Sequence, residues 1–263
     1  MTIRLGGRDI LSAVSFEIED GEFVGMLGAN GAGKTTLMRA ALGLVPVASG
    51  AVAVLGRRAK RGNAHIGYMP QTRGAIAGLR IRGWDVVAAT AIGARFGFVT
   101  LDKKTRREID WALDQVGAGG LARRPIGELS GGERQLVLLS QALIGKPRLI
   151  MLDEPLISLD PAHQKTVVEI ARRICDDLKV AILFSAHELN PLINAIDRVL
   201  YLGGGGAVIG AVDDVVNGPV LSRLYGAPIE VVQVKGRYYV MAGDVDVERD
   251  AHSHEHHAHG AHA

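Results

Sequence analysis

One segment restricts the fold of this chain more than any other: Gly28-Ala29-Asn30-Gly31-Ala32-Gly33-Lys34-Thr35-Thr36. It matches G-x-x-x-x-G-K-[S/T], a pattern in which glycines let backbone N–H groups curve around phosphate oxygens without a clash from Cβ. A short apolar run at 22–27 precedes it and a helical segment at 35–44 follows. A strand, a glycine loop and a helix in this order predict a phosphate site at the positive end of the helix. The alternative is an ordinary turn in a chain with 34 Gly.

The residue types of this loop also predict how phosphate would be held. Lys34 would reach the β- and γ-phosphates, and the hydroxyl of Thr35 would ligate Mg²⁺. The predicted binding residues of the loop are Gly28, Asn30, Gly31, Ala32, Gly33, Lys34, Thr35 and Thr36.

A pair of carboxylates ends another apolar run, 148–152, at Asp153 and Glu154. Two acids at the end of a buried strand are costly unless a metal ion or hydrogen bonds occupy them. With a phosphate loop in the same chain, Asp153 would hold Mg²⁺ through water, and Glu154 would orient or deprotonate the attacking water. The alternative is an acidic helix cap, which the phosphate loop makes less favourable.

A third motif, LSGGERQ at 129–135, stands at the start of a predicted helix. Ser130 and Glu133 alone would form a capping box. That explanation leaves out Gly131 and Gly132, because glycines in a first helical turn cost helix stability. The amides of the two glycines, with Ser130, therefore predict a second phosphate site.

The order of these motifs resembles that of ATP-binding cassette (ABC) ATPases, over residues 1 to about 212. The family order also includes a glutamine loop, here Gln71, a D-loop ending at Asp160, and a switch histidine, here His187. The resemblance implies an α/β P-loop NTPase core with a small antiparallel β subdomain and an inserted α-helical subdomain. It implies ATP and Mg²⁺ as cofactors and ATP hydrolysis as the activity.

The domain boundaries follow from local pattern. Strand–loop–helix units with apolar strands predict a largely parallel sheet covered on both faces. Helical spacing at 84–94 and 103–116 predicts the helical subdomain, at about 76–134. The ATP-binding domain would span 1–243, and 244–263, without apolar periodicity, is predicted to be a disordered tail.

The resemblance assigns a role to each matched residue. Glu154, His187 and Gln71 would be catalytic: His187 would contact the γ-phosphate, and Gln71 would sense Mg²⁺ and the water and couple the site to the helical subdomain. The ATP residues that it adds are Ser130, Gly131, Gly132 and Asp160. The Mg²⁺ residues are Thr35, Gln71 and Asp153. Leu5 stands where the family has an adenine-stacking aromatic residue, so either the start codon is assigned late or adenine packs on an aliphatic surface.

The resemblance further implies the assembly. Two cassettes would dimerise head to tail, with each ATP between the phosphate loop of one and the LSGGE of the other. They would drive integral-membrane permease subunits, to which an extracytoplasmic substrate-binding protein would deliver the substrate.

No run approaches the ~18–20 apolar residues that span a bilayer, and no secretory signal is evident. With one cysteine, Cys175, these features predict a peripheral subunit at the cytoplasmic face of the plasma membrane. The net charge of +2 does not predict nucleic-acid binding.

Segments 82–87 and 187–205 resemble the ATPases of bacterial zinc/manganese importers, which predicts zinc or manganese as substrate. Another substrate such as iron chelates is the alternative. A soluble ABC ATPase of translation or DNA repair is disfavoured, because only about 58 residues, with no long heptad run, separate Gln71 from Ser130. A metal-buffering protein is disfavoured by the intact ATPase motifs.

The C-terminal tail is rich in histidine. Neutral imidazoles suit Zn²⁺ and neighbouring transition metals. A purification tag or an inert tail are the alternatives, but tags usually have contiguous histidines and these are interrupted by Ala, Ser, Glu and Gly. The candidate zinc ligands are His252, His254, His256, His257, His259 and His262.

Overall fold

The computed structural model describes residues 1–71, 79–93 and 101–242. The strands are β1 (Ile3–Leu5), β2 (Arg8–Leu11), β3 (Phe23–Leu27), β4 (Ala53–Val54), β5 (Arg57–Arg58), β6 (Ile66–Met69), β7 (Leu149–Leu152), β8 (Ala181–Ser185), β9 (Arg198–Gly203), β10 (Gly206–Gly210), β11 (Ile229–Val234) and β12 (Arg237–Ala242). The helices are α1 (Lys34–Ala41), α2 (Gly83–Ile92), α3 (Lys103–Gln115), α4 (Gly131–Ala142), α5 (Pro161–Leu178), α6 (Val212–Val215) and α7 (Gly218–Tyr225).

The central sheet has six strands in the order β10-β9-β3-β8-β7-β6. All neighbours pair parallel except β9 and β10, which form an antiparallel hairpin. Every residue of β3 and β8 is buried, as expected for parallel strands covered on both faces. The predicted α/β class with a largely parallel sheet is therefore confirmed.

This strand order collects four of the predicted motifs at one edge. β3 runs into the phosphate loop, β6 is followed by Gln71 after one intervening residue, β7 runs directly into Asp153, and β8 is followed by His187 after one intervening residue. Parallel strands present their carboxyl ends on the same side, where α/β sheets bind ligands. The topology thus brings together segments that lie more than a hundred residues apart in sequence.

Two small hairpins lie outside the central sheet, β1–β2 and β4–β5, both antiparallel. They are the predicted antiparallel β part of the fold. The core on their side of the sheet joins Ile3 and Leu11 to Leu37 and Met38 of α1. The larger core extends from the opposite face of the sheet through α5 to the helices α2, α3 and α4.

Several predicted elements differ in extent from those observed. The helix predicted at 35–44 ends at Ala41, because Gly43 turns with φ 69° and a side chain there would overlap the backbone of Lys60 and Arg61. The strand predicted at 51–55 is reduced to β4. The helix predicted over 135–144 begins four residues earlier, where Ser130 caps α4.

The chain ends, within the described residues, in a third antiparallel hairpin outside the central sheet, β11–β12. It follows α6 and α7 and contacts α7 through β11. Within these same ranges no helix is long and apolar enough to cross a membrane. Parts of the predicted helical subdomain, 76–78 and 94–100, and the predicted tail lie outside the described residues.

Candidate functional site

The phosphate loop adopts a backbone path that its glycines make accessible. Gly31 and Gly33 have φ values of 81° and 98°, in the left-handed region that side chains disfavour. At Gly28 a Cβ would overlap the carbonyl oxygen of Leu202 in the neighbouring strand β9. Gly33 is the N-cap of α1 and has no side chain, so it leaves the first helical N–H groups open to an anion.

Lys34 lies inside this loop rather than in solvent. Its side chain is 5% exposed, and Nζ donates a hydrogen bond of 2.7 Å to the carbonyl oxygen of Gly28. Nζ is also 3.8 Å from Oε1 of Glu154. Burial lowers the pKa of Lys34, while the carboxylates of Glu154 and Asp153 act in the opposite direction. A buried cation beside a loop whose backbone N–H groups can surround a phosphate is suited to binding phosphate oxygens.

The other two predicted catalytic residues converge on Glu154, which is 9% exposed. Gln71 Nε2 donates a hydrogen bond to Oε2 of Glu154. His187 Nε2 lies 2.8 Å from the other oxygen, Oε1. Gln71, Glu154 and His187 come from three different strand ends, so only the sheet order brings them into contact. The phosphate loop joins the cluster through Lys34.

The backbone of Glu154 is itself unusual, with φ 52° in a residue that is not glycine. Such conformations cost about 1–3 kcal/mol and persist where surrounding contacts enforce them. Here the N–H of Glu154 donates to Oγ of Ser185, 3.0 Å away. The strained turn directs the carboxylate toward the cluster, as expected of a functional position.

Ser185 and Tyr68 are two members of the cluster to which sequence reasoning assigned no role. Ser185 Oγ accepts from Glu154 and donates to Oδ1 of Asp153 at 3.1 Å, so it bridges both acids. The hydroxyl of Tyr68 donates to Oδ2 of Asp153 at 3.3 Å. Burial and the charge of Asp153 raise the pKa of Tyr68 to about 12, which keeps it a neutral donor. The one sequence signal that could have identified Ser185 and Tyr68 is that each is a polar residue near a strand end, beside a predicted motif.

The LSGGE turn forms the capping box that the sequence allowed. Ser130 Oγ accepts from the N–H of Glu133 at 3.2 Å, and Glu133 Oε2 accepts from the N–H of Ser130 at 2.8 Å. That backbone hydrogen bond is the main reason why the pKa of Glu133 is lowered. Arg124 adds an ion pair to Glu133 at 2.8 Å.

Packing within the chain explains why glycine is present at both positions of this turn. A Cβ on Gly132 would overlap the imidazole ring of His163 in α5, and one on Gly131 would lie 3.3 Å from Leu159 Cδ2. The LSGGE turn and the D-loop therefore form one packed unit. Asp160 caps α5 by accepting from the N–H groups of Ala162 and His163, each at 3.0 Å. These hydrogen bonds, the one from His163 foremost, lower the pKa of Asp160.

Not all the predicted ATP residues meet in one place. The side-chain hydrogen bonds recorded for Ser130 and Asp160 stay at the first turns of their own helices, away from the Glu154 cluster. Leu5 lies at the end of β1 and is 41% exposed. The six tail histidines lie outside the described residues, and within 1–71, 79–93 and 101–242 no three His, Cys, Asp or Glu side chains are grouped as metal ligands.

Comparison with known proteins gives consistent matches. The profile of the ABC transporter family matches residues 11–157. A zinc import ATP-binding protein of Hahella chejuensis is 38% identical over 227 residues, 86% of each chain. An Fe(3+) ions import ATP-binding protein of Streptomyces avermitilis is 36% identical over 209 residues, 78% of this chain and 58% of that protein. Among solved structures, an inward-facing metal-chelate type ABC transporter superposes with a TM-score of 0.71 at 26% identity, covering 86% of each chain.

Proposed function

Because the chain belongs to the ABC transporter family, we propose that it is the ATPase subunit of an importer for zinc ions. Family membership agrees with the order of motifs in the sequence, and ATP binding and hydrolysis are the activity of such subunits. The zinc assignment is supported by the 38% identity to a zinc import protein over 86% of both chains. Iron is the second candidate, supported by the relative that imports Fe(3+), which matches less of each chain.

The observation that carries the ATPase mechanism is the convergence on Glu154. We infer that its carboxylate accepts the proton of the attacking water, since it is the buried acid to which three motifs point. His187 would orient the γ-phosphate opposite that water. The amide of Gln71, donating to Glu154, would hold the carboxylate in place. Lys34 would exchange its bond to Gly28 for phosphate oxygens.

The predicted Mg²⁺ residues carry the donor groups that suit this ion. A carboxylate, the hydroxyl of Thr35 and the amide oxygen of Gln71 are oxygen donors of the kind that Mg²⁺ prefers. Asp153 is 1% exposed, and its oxygens already accept from Ser185 and Tyr68, which fix the orientation of the carboxylate. When bound, Mg²⁺ would neutralise charge on the β- and γ-phosphates.

We also propose how the subunit assembles with its partners. Ser130, Gly131, Gly132 and Asp160 would contact the ATP held by a second copy, arranged head to tail. The dimer would drive separate integral-membrane permease subunits at the cytoplasmic face of the plasma membrane, with substrate delivered by an extracytoplasmic binding protein. We also propose the division into an ATP-binding domain over 1–243, with its helical subdomain at about 76–134, and a tail over 244–263.

The substrate is tested by gene deletion in the source organism. We expect the deletion strain to lose uptake of radioactive zinc at nanomolar concentration, and the wild-type gene to restore it, because transport depends on ATP hydrolysis by this subunit. A Lys34→Ala gene is the matched control and should restore nothing. Unchanged zinc uptake with loss of iron uptake would replace zinc by iron as the substrate; unchanged uptake of both would contradict the metal assignment.

The tail gives a separate prediction, because we propose that its histidines bind zinc at a site apart from the ATP site. Deleting 251–263 should remove most of the zinc bound by the purified chain and leave basal ATPase activity within about twofold, since the ATP residues lie between 28 and 187. Zinc binds neutral imidazole, whose unperturbed pKa is about 6.5, so binding to the full chain should weaken below about pH 6. Titration calorimetry on both chains measures this; equal zinc stoichiometry would make the tail inert.

A further inference from the structure

The segment that carries His187 is attached to the C-terminal hairpin by one side chain. Asn190 Nδ2 donates to the backbone carbonyl oxygen of Tyr238 at 2.9 Å, and Asn190 Oδ1 accepts from the backbone N–H of Tyr238 at 2.8 Å. The amide thereby pairs with β12 as a neighbouring strand would. In the part of the chain that the structure describes, these two are the hydrogen bonds recorded between 186–190 and 229–242.

His187 lies between two fixed points. Before it, the N–H of Ala186 donates to the carbonyl oxygen of Met26 in β3 at 3.0 Å. After it, Leu189 is buried and Asn190 is bound to Tyr238. The imidazole of His187, by contrast, is 36% exposed, with its Nε2 on Glu154. The position of the ring therefore depends on how the backbone on each side is held.

The hairpin is itself firmly attached, so it can serve as such a fixed point. The hydroxyl of Tyr238 donates to Asp213 of α6. Ser222 of α7 exchanges two hydrogen bonds with the backbone of Ile229, at 2.8 and 3.2 Å. These contacts lie beyond the residues that the family profile matches, which end at 157.

Around this link the two segments are separated by space. A cavity of about 560 Å³ lies between them, lined among others by His187, Glu188, Tyr201, Tyr239 and Met241. Leu189 and Tyr238 are both buried in the larger core, and beside the cavity the Asn190 amide is the hydrogen-bonded link between the two segments.

We propose that Asn190 is a positioning residue for His187, and that the C-terminal hairpin thereby forms part of the ATP site. The proposal rests on the proposed catalytic role of His187. Asn190 does not contact ATP; it holds the backbone that places the imidazole against Glu154. A displacement of about 1 Å at a reacting group is enough to cost ~100-fold in rate.

The test uses the full chain with Mg²⁺-ATP. Asn190→Ala should lower kcat about 10- to 100-fold and leave the Kd for ATP unchanged, because the phosphate loop is untouched. Asn194→Ala, an exposed asparagine on the same segment, is the matched control and should keep wild-type kcat. Asn190→Asp, which keeps the size and the acceptor but loses the donor, should also lower kcat and serves if the alanine variant is unstable in thermal unfolding.

A double-mutant cycle separates positioning from a general structural role. In a His187→Ala background, Asn190→Ala should lower kcat no further, because the group that it positions is gone. Equal losses in both backgrounds, or wild-type kcat in Asn190→Ala and Asn190→Asp, would overturn the proposal while leaving the role of His187 intact. Wild-type kcat in His187→Ala alone would instead contradict the proposed function on which the inference rests.

Discussion

An ATP turnover at least about 100-fold below wild type is the expected result of replacing Glu154 with Gln. The amide keeps the size of the side chain but cannot accept the proton of the attacking water. Gln71 and His187 would remain in reach of the new side chain, so the cluster should keep its shape. ATP should still bind, because Lys34 and the loop amides are unchanged. The variant should therefore accumulate as an ATP-bound dimer.

Two measurements check this result: steady-state phosphate release, and size-exclusion chromatography with and without ATP. Glu169→Gln is the matched control, since Glu169 is an exposed residue of α5 paired with Lys165 at 3.7 Å. It should leave turnover within about twofold of wild type. Turnover near the wild-type rate in Glu154→Gln would exclude Glu154 as the base, and loss of ATP binding would indicate a structural role.

Activity regained by mixing two inactive variants is the second large effect that we expect. Lys34→Ala should lack a functional phosphate loop, and Ser130→Arg should block the exposed LSGGE turn. Each alone should show little hydrolysis. In a mixed dimer one site carries both defects and the other carries neither. An equal mixture should therefore recover up to about a quarter of wild-type activity if pairing is random and intact sites act independently.

The control mixes Lys34→Ala with the double variant Lys34→Ala/Ser130→Arg. No intact phosphate loop is present in that mixture, so no activity should return. The structure motivates the experiment, because the hydrogen bonds of Ser130 stay within its own helix turn and do not reach the Glu154 cluster. Normal hydrolysis by Ser130→Arg alone would contradict the shared site.

Local signals were sufficient for the elements with strong caps. Helix α5 runs from Pro161 to Leu178 because Asp160 caps it, proline suits its first turn, and Lys179 leaves the helix with φ 52°. The strand before the phosphate loop was equally clear, since its apolar run ends in glycines. These features depend on residues within one or two turns of each other.

The parts that sequence reasoning missed depend on distant contacts. Ser185 lies 31 residues from Glu154, and Tyr68 lies 85 residues from Asp153, so no local pattern reveals their hydrogen bonds. Helix α7 has eight residues and begins with glycine, so the stretch is too short for its helical periodicity to be detected in the sequence. The pairing of Asn190 with β12 likewise exists only once the hairpin has folded back.

The His163 ring packs so closely on Gly132 that it limits which segments this protein can exchange with its relatives in a chimera. A chimera that imports an LSGGE turn with a larger residue at 132 would need a smaller residue at 163, although position 163 lies outside that motif, in α5. Exchanging the turn together with the start of α5, including residue 163, would preserve the fit, whereas a larger residue at 132 alone would displace the His163 ring. The unit of exchange between cassettes is thus the packed pair, not the motif.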